Sequence, residues 1–298
     1  TGQLASASLW SPCPHVPVPT CPLAIPSRTL APVPTCPLIR NMRSFLALLF
    51  AASLIAAERP AVDHAAYTAA LKDFRKGTSK SIDTLKKDKV EAAIQLAAID
   101  DVRERLVDDP TSPLVGEVAT LLAKTDSLTA ELLLSALAEA KASSATAQVA
   151  ELAANPQSPL RVSAALALAE IGGAKAVPIL AALAKDETLA DNIQDALVKV
   201  AGPGVTDAFN AGIVDAKADM ATRNALIKAA VARNLRAVAG ALCLAIKEEP
   251  MRLECQKALL KLAQKSDLPA LRDAEKAVTN EATKGALGRL IKKLEAVK

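Results

Sequence analysis

The stretch SPLRVSAALALAEIGGAKAVPILAAL, Ser158 to Leu183, decides the fold. Ser158 is placed to cap a helix, and Pro159 suits the first helical position, where a missing N–H costs nothing. Val162, Ala165, Leu168, Ala169 and Ile171 then recur on one face at helical spacing. Gly172 and Gly173 predict the stop of that helix, and Pro178 predicts the start of a second, antiparallel one. A pair this short leaves its apolar face uncovered. It needs neighbouring copies of itself.

The chain supplies them. A short pattern (Ala-Leu, two variable residues, then an apolar or small one) occurs as Gln95-Leu96 with Ile99, Ala136-Leu137 with Ala140, Ala167-Leu168 with Ile171, and Ala196-Leu197 with Val200. It continues as Ala225-Leu226 with Ala229, Ala258-Leu259 with Leu262, and Ala286-Leu287 with Leu290. Successive rows are 41, 31, 29, 29, 33 and 28 residues apart, a period too regular for one Ala-rich bundle. Between rows the pattern predicts second helices at Val177 to Ala184, Val205 to Val214, Leu235 to Lys247 and Leu268 to Val278, and the long first gap predicts an extra helix near Asp100 to Val107. Pro110, Pro113, Pro156, Pro159, Pro203, Pro250 and Pro269 all fall between helices, where they avoid the roughly 3 kcal/mol cost of a mid-helix position.

The units VSAALALAEIGGAKAVPILAAL (Val162 to Leu183) and VEAAIQLAAI (Val90 to Ile99) resemble HEAT repeats of the short, phycobilisome-lyase-like type, over residues 80 to 298. The pattern departs from that family where Val198, Ile227 and Leu260 replace the Gly after the Leu, which Gly288 keeps. The resemblance implies an all-α, right-handed α-solenoid, an armadillo/HEAT-like superhelix of about seven helix pairs. Its second helices would line a concave face used mainly to hold other proteins, and some relatives handle bilin chromophores.

Before the repeats, composition changes sharply. Residues 1–41 hold 9 of the 18 prolines, 3 of the 5 cysteines, the lone Trp10 and no acidic residue, and the segment PVPTCPL at Pro17 to Leu23 recurs at Pro32 to Leu38. Such a stretch cannot build a core. It reads as upstream sequence preceding the true start at Met42, with a genuine Pro-rich tail as the alternative. Arg43, then Phe45 to Ala56 (FLALLFAASLIA), then Ala56-Ala57 read as a signal peptide at 42–57, although Ile55 stands where a small residue is preferred. The competing reading of the apolar run is a buried helix. With the signal, the mature protein is exported to a bacterial periplasm or beyond. Residues 58–78 then form an N-terminal cap, Ala61 to Arg75 being an amphipathic helix with Tyr67, Leu71 and Phe74 on its apolar side, and 79–298 form the repeats.

Chemistry is sparse. Residues 58–298 carry 33 basic and 32 acidic side chains, so the headline charge of +4 gives no warrant for nucleic-acid binding. From residue 79 onward the single aromatic is Phe209, too little for base stacking or a chromophore pocket. His64 is the single histidine of residues 58–298, which removes triad and Cys-His catalysis there, and no spacing suits a metal. Gly202-Pro203-Gly204 reads as a turn, since Pro203 lacks the donor a phosphate cradle needs. The expectation is therefore a non-enzymatic protein without cofactors.

Two features rise above this background. Residues 58–199 hold 16 basic and 21 acidic residues, whereas 200–298 hold 17 and 11. The position three after the motif Ala follows the same change of sign: Ala98, Glu139, Glu170, Lys199, Lys228, Lys261, Arg289. The last four predict a basic ridge for an acidic protein surface. The second feature is Cys243 and Cys255, equidistant from the Glu249-Pro250 turn; export permits a disulfide between them, and a pair of buried thiols is the alternative. The reading favoured is a protein-protein interaction scaffold. A bilin-lyase-like or small-molecule-handling protein and a structural domain of an envelope complex are the alternatives.

Overall fold

The computed structural model describes residues 62–77, 80–87 and 89–296. The Pro-rich segment and the signal peptide lie outside them. Among the described residues the regular structure is entirely helical, with no strand. The helices are α1 (His64–Arg75), α2 (Ser81–Leu85), α3 (Ala92–Asp108), α4 (Leu114–Leu121), α5 (Ser127–Glu139), α6 (Thr146–Ala154), α7 (Arg161–Ile171) and α8 (Gly173–Leu183). They continue as α9 (Ala190–Lys199), α10 (Val205–Val214), α11 (Met220–Ala232), α12 (Ala239–Ala245), α13 (Arg252–Leu262), α14 (Leu268–Ala277) and α15 (Glu281–Glu295).

The odd-numbered helices form one layer in which each packs on the next, and the even-numbered helices form a second layer with the same order. Each motif row falls on an odd helix from α3 to α15. Among the described residues no helix packs substantially on one more than three places away in chain order. The core is accordingly a strip between two layers rather than a ball. Ala136, Leu137, Leu168, Ala196, Leu197, Leu226, Leu259 and Leu287 are almost wholly buried along it, each covered by its neighbours. Burying one such leucine contributes about 1.5–3 kcal/mol.

Local signals explain where α1, α5, α11 and α15 begin. Asp126, Asp219 and Asn280 each cap a helix, accepting a hydrogen bond from the N–H of the Thr three residues on (3.0, 2.8 and 3.0 Å). Thr129, Thr222 and Thr283 are themselves buried, so each cap is held against the core. Asp63 caps α1 in the same way through Ala65 N–H, and Phe74 buries as expected while Tyr67 and Leu71 pack partly covered against it.

Several expectations are corrected. Pro178 does not open the second helix of the central pair; it lies inside α8, which starts at Gly173. The turn is only Gly172 wide because Gly173 takes φ +50° and because a Cβ on Gly172 would come within 2.6 Å of Ala176 Cβ. Ala176 and Val177 are fully buried, so packing of the first turn outweighs the N–H that Pro178 lacks. Ser158 accepts from Leu160 N–H at 3.2 Å and closes a turn, and the helix proper begins at Arg161. No separate helix occupies Asp100 to Val107, since α3 runs unbroken through it. The first row is also displaced: Gln95 and Leu96 are partly exposed, whereas Ala98, Ile99 and Val102 are buried, so the pattern fits three residues later.

Candidate protein-docking face

Lys199, Lys228, Lys261 and Arg289 lie on α9, α11, α13 and α15, consecutive helices of one layer, each touching the next. All four are exposed. None of the four makes an ion pair or side-chain hydrogen bond among the described residues. The Arg289 guanidinium leans back along its own helix, Nη1 being 3.6 Å from where a Cβ on Gly285 would stand. The four cations therefore sit on the odd layer, not on the layer of second helices that the family resemblance assigns to the concave side.

The same register on the preceding helices is acidic. Glu139 on α5 and Glu170 on α7 are exposed, with Glu139 only 3.9 Å from Arg103 Nε. Ala98 drops out of the series, because it is fully buried. One face thus carries carboxylates at one end and ammonium or guanidinium groups at the other. The sequence reading missed the apolar part of this face: Leu128 and Leu132 on α5, Met220 on α11, and Leu253 and Leu260 on α13 are exposed. Leu260 could have signalled it, being a large residue where the repeat pattern has Gly.

Buried ties hold these helices in place. Arg223, 4% exposed, donates from Nε to Ile213 carbonyl at 2.8 Å and forks onto Glu248, whose carboxyl it holds below the usual range. Arg233 donates to the carbonyls of Leu197, Val198 and Val200 at the end of α9 and lies 5.5 Å from the Phe209 ring. Arg161 pairs with Asp186 at 2.7 Å. Partial burial works against the charge of Asp219, yet the Lys185 ammonium and the Thr222 hydroxyl and N–H hold its carboxyl down at about 2.

Cys243 on α12 and Cys255 on α13 are both buried free thiols, so the structure holds the pair unbridged. Burial pushes Cys243 up to about 11 and Cys255 up to about 12, which makes them inert apolar groups at neutral pH. His64 is exposed, and Gly202 and Gly204 form a turn with positive φ. Among the described residues no group of His, Cys, Asp and Glu could hold a metal ion, and no helix is long and apolar enough to cross a membrane. A groove of about 810 Å³ between α2, α3 and α4 is lined by Lys86, Glu117, Lys124 and Asp126 without any aromatic side chain, and Lys86 is already engaged by Asp83 and Glu117.

What the fold and the face define together is a layered helical protein with a row of exposed charge along one layer. No family model matches the chain, and no curated protein matches it either.

Proposed function

We propose that this is a non-enzymatic docking protein, a right-handed α-solenoid of about seven HEAT-like pairs, exported through the leader at 42–57, that takes an acidic protein surface on the ridge of Lys199, Lys228, Lys261 and Arg289. The observation that carries the reading is that four exposed cations without partners stand on four consecutive, touching helices. Local carboxylates are few along the ridge, Asp195 one turn before Lys199 being one, and among the described residues none of the four cations is in an ion pair. The solenoid is supported by packing confined to near neighbours in two layers. The ridge acts mainly on association rate, since exposed charge steers encounter more than it adds affinity.

Affinity capture from the native compartment tests the reading, with the wild type compared against Lys228→Glu/Lys261→Glu at low salt. The expected result is selective loss of acidic partners from the variant and from the wild type at high salt. Equal capture by both proteins would reject it. Intact-mass measurement of the native protein checks export, with Glu58 as the expected first residue.

A further inference from the structure

The docking reading leaves the acidic surface unnamed, and the face itself contains one of matching geometry. In the odd layer α9 has α7 and α11 as its two neighbours, and α5 and α13 stand one step further out on either side. At the shared register α5 and α7 carry Glu139 and Glu170, while α11 and α13 carry Lys228 and Lys261; all four are exposed. A second copy turned about an axis parallel to α9 lays α7 over α11 and α5 over α13. Glu170 then opposes Lys228 and Glu139 opposes Lys261, and a two-fold contact makes each pairing twice.

The apolar groups obey the same symmetry. Leu132 on α5 is 36% exposed, and Leu253 and Leu260 on α13 are 57% and 52% exposed. These leucines stand on the two helices that the rotation brings together, so each end of the contact offers the other an exposed apolar group. Lys199 falls near the axis and meets its own copy, with the exposed Asp195 one turn before it on α9 to offset the like charge.

We propose that the acidic surface received by this ridge belongs to a second copy of the same chain, docked face to face with the order of its repeats reversed. The inference rests on the ridge being a docking surface and adds the identity of its occupant. Reversed order is what the charges require, because the parallel arrangement would set Glu139 against Glu139 and Lys261 against Lys261. Repulsion of that kind excludes the wrong register.

Sedimentation velocity of the full chain, at low and high salt, tests it with two variants: Glu139→Lys/Glu170→Lys and Lys228→Glu/Lys261→Glu. The wild type is expected to dimerise at low salt and to dissociate as salt rises. Each variant alone is expected to self-associate about a hundredfold more weakly. Mixed together, the two variants should form a heterodimer, because every contact then pairs Lys with Glu; this recovery also establishes that both variants are folded. A wild type that is monomeric throughout, a dimer indifferent to these charges, or a mixture that stays monomeric would each overturn the proposal. A monomeric chain that still loses an acidic partner on Lys228→Glu/Lys261→Glu keeps the docking reading and discards the second copy. A charge-dependent dimer whose capture of other proteins ignores the ridge does the reverse.

Discussion

The two ends of the chain use charge differently. Around α1 to α5 three ion pairs reach from helix to helix, Arg75 to Glu104, Lys86 to Glu117 and Arg103 to Glu139, beside local ones of Lys86 with Asp83, Arg103 with Asp100 and Arg105 with Asp101; Tyr67 O–H also donates to Asp100 at 2.8 Å and Arg105 to the Phe74 carbonyl at 3.0 Å. Around α11 to α15 the pairs are mostly local, as in Arg252 with Glu249, Lys257 with Glu254 and Lys284 with Glu281; Arg223 with Glu248 and Arg272 with Glu295 are the longer ones. Beyond residue 199 there are 11 acidic residues for 17 basic ones, so the charge surplus there is basic. One frame therefore yields an N-terminal region laced from helix to helix by three ion pairs and a C-terminal region with a surplus of cations.

The sharpest way to break the contrast is at the junction. Leu197, fully buried on α9, joins the layer on both sides. Leu197→Ala should cost about 2–5 kcal/mol and split one urea transition into two, read by circular dichroism and by hydrogen exchange of each region. A single transition would show the two regions to be one cooperative unit. Next in size is Arg223→Ala, which strands Glu248 and the Ile213 carbonyl. It should cost about 2–3 kcal/mol in urea denaturation, while Arg75→Ala, exposed in the laced region, should leave the midpoint unchanged.

The pH limits sharpen the picture further. Cys243 and Cys255 have folded pKa values raised from 9.0 to about 11 and about 12. Their contribution is complete below pH 9.0 and declines as pH rises toward the folded values, because only the unfolded thiols ionise in that window. Thiol titration should accordingly be silent in native protein at neutral pH and report both groups after unfolding. At the acid end Asp219, lowered from 3.8 to about 2, contributes above pH 3.8, and that contribution is lost as pH falls through about 2. Asp219→Asn should flatten that part of the acid limb, measured by denaturant midpoints across pH; the effect is small because the side chain is 38% exposed. Smallest of all on stability is Lys228→Glu/Lys261→Glu, which should leave the unfolding midpoint in place and alter association alone.

Much of this was legible before any coordinates. Six of the seven rows bury as read, and Val205 to Val214 has the bounds that the periodicity predicted. The failures share a cause. Gln95-Leu96 matches the pattern only with Gln in place of Ala, and α3, packed on α1 and α5, buries Ala98 and Ile99 instead. Pro178 carries a strong local start signal that burial of Ala176 and Val177 overrides. The capping series Asp126 with Thr129, Asp219 with Thr222 and Asn280 with Thr283 repeats one local spacing that marks helix starts in the sequence itself. Exposure of Leu128, Leu132 and Leu253 had no signature in the chain, because an apolar residue at helical spacing reads as core.

Composition and periodicity alone determined that this chain would be helical, since that property follows from backbone propensity and from the spacing of the apolar side chains. Tertiary packing decided which register each helix buries, that Cys243 and Cys255 are enclosed in the core, and that Glu139, Glu170, Lys228 and Lys261 are exposed on helices of one layer. Side-chain types are written residue by residue, whereas exposure belongs to a residue only after its neighbours have taken their places.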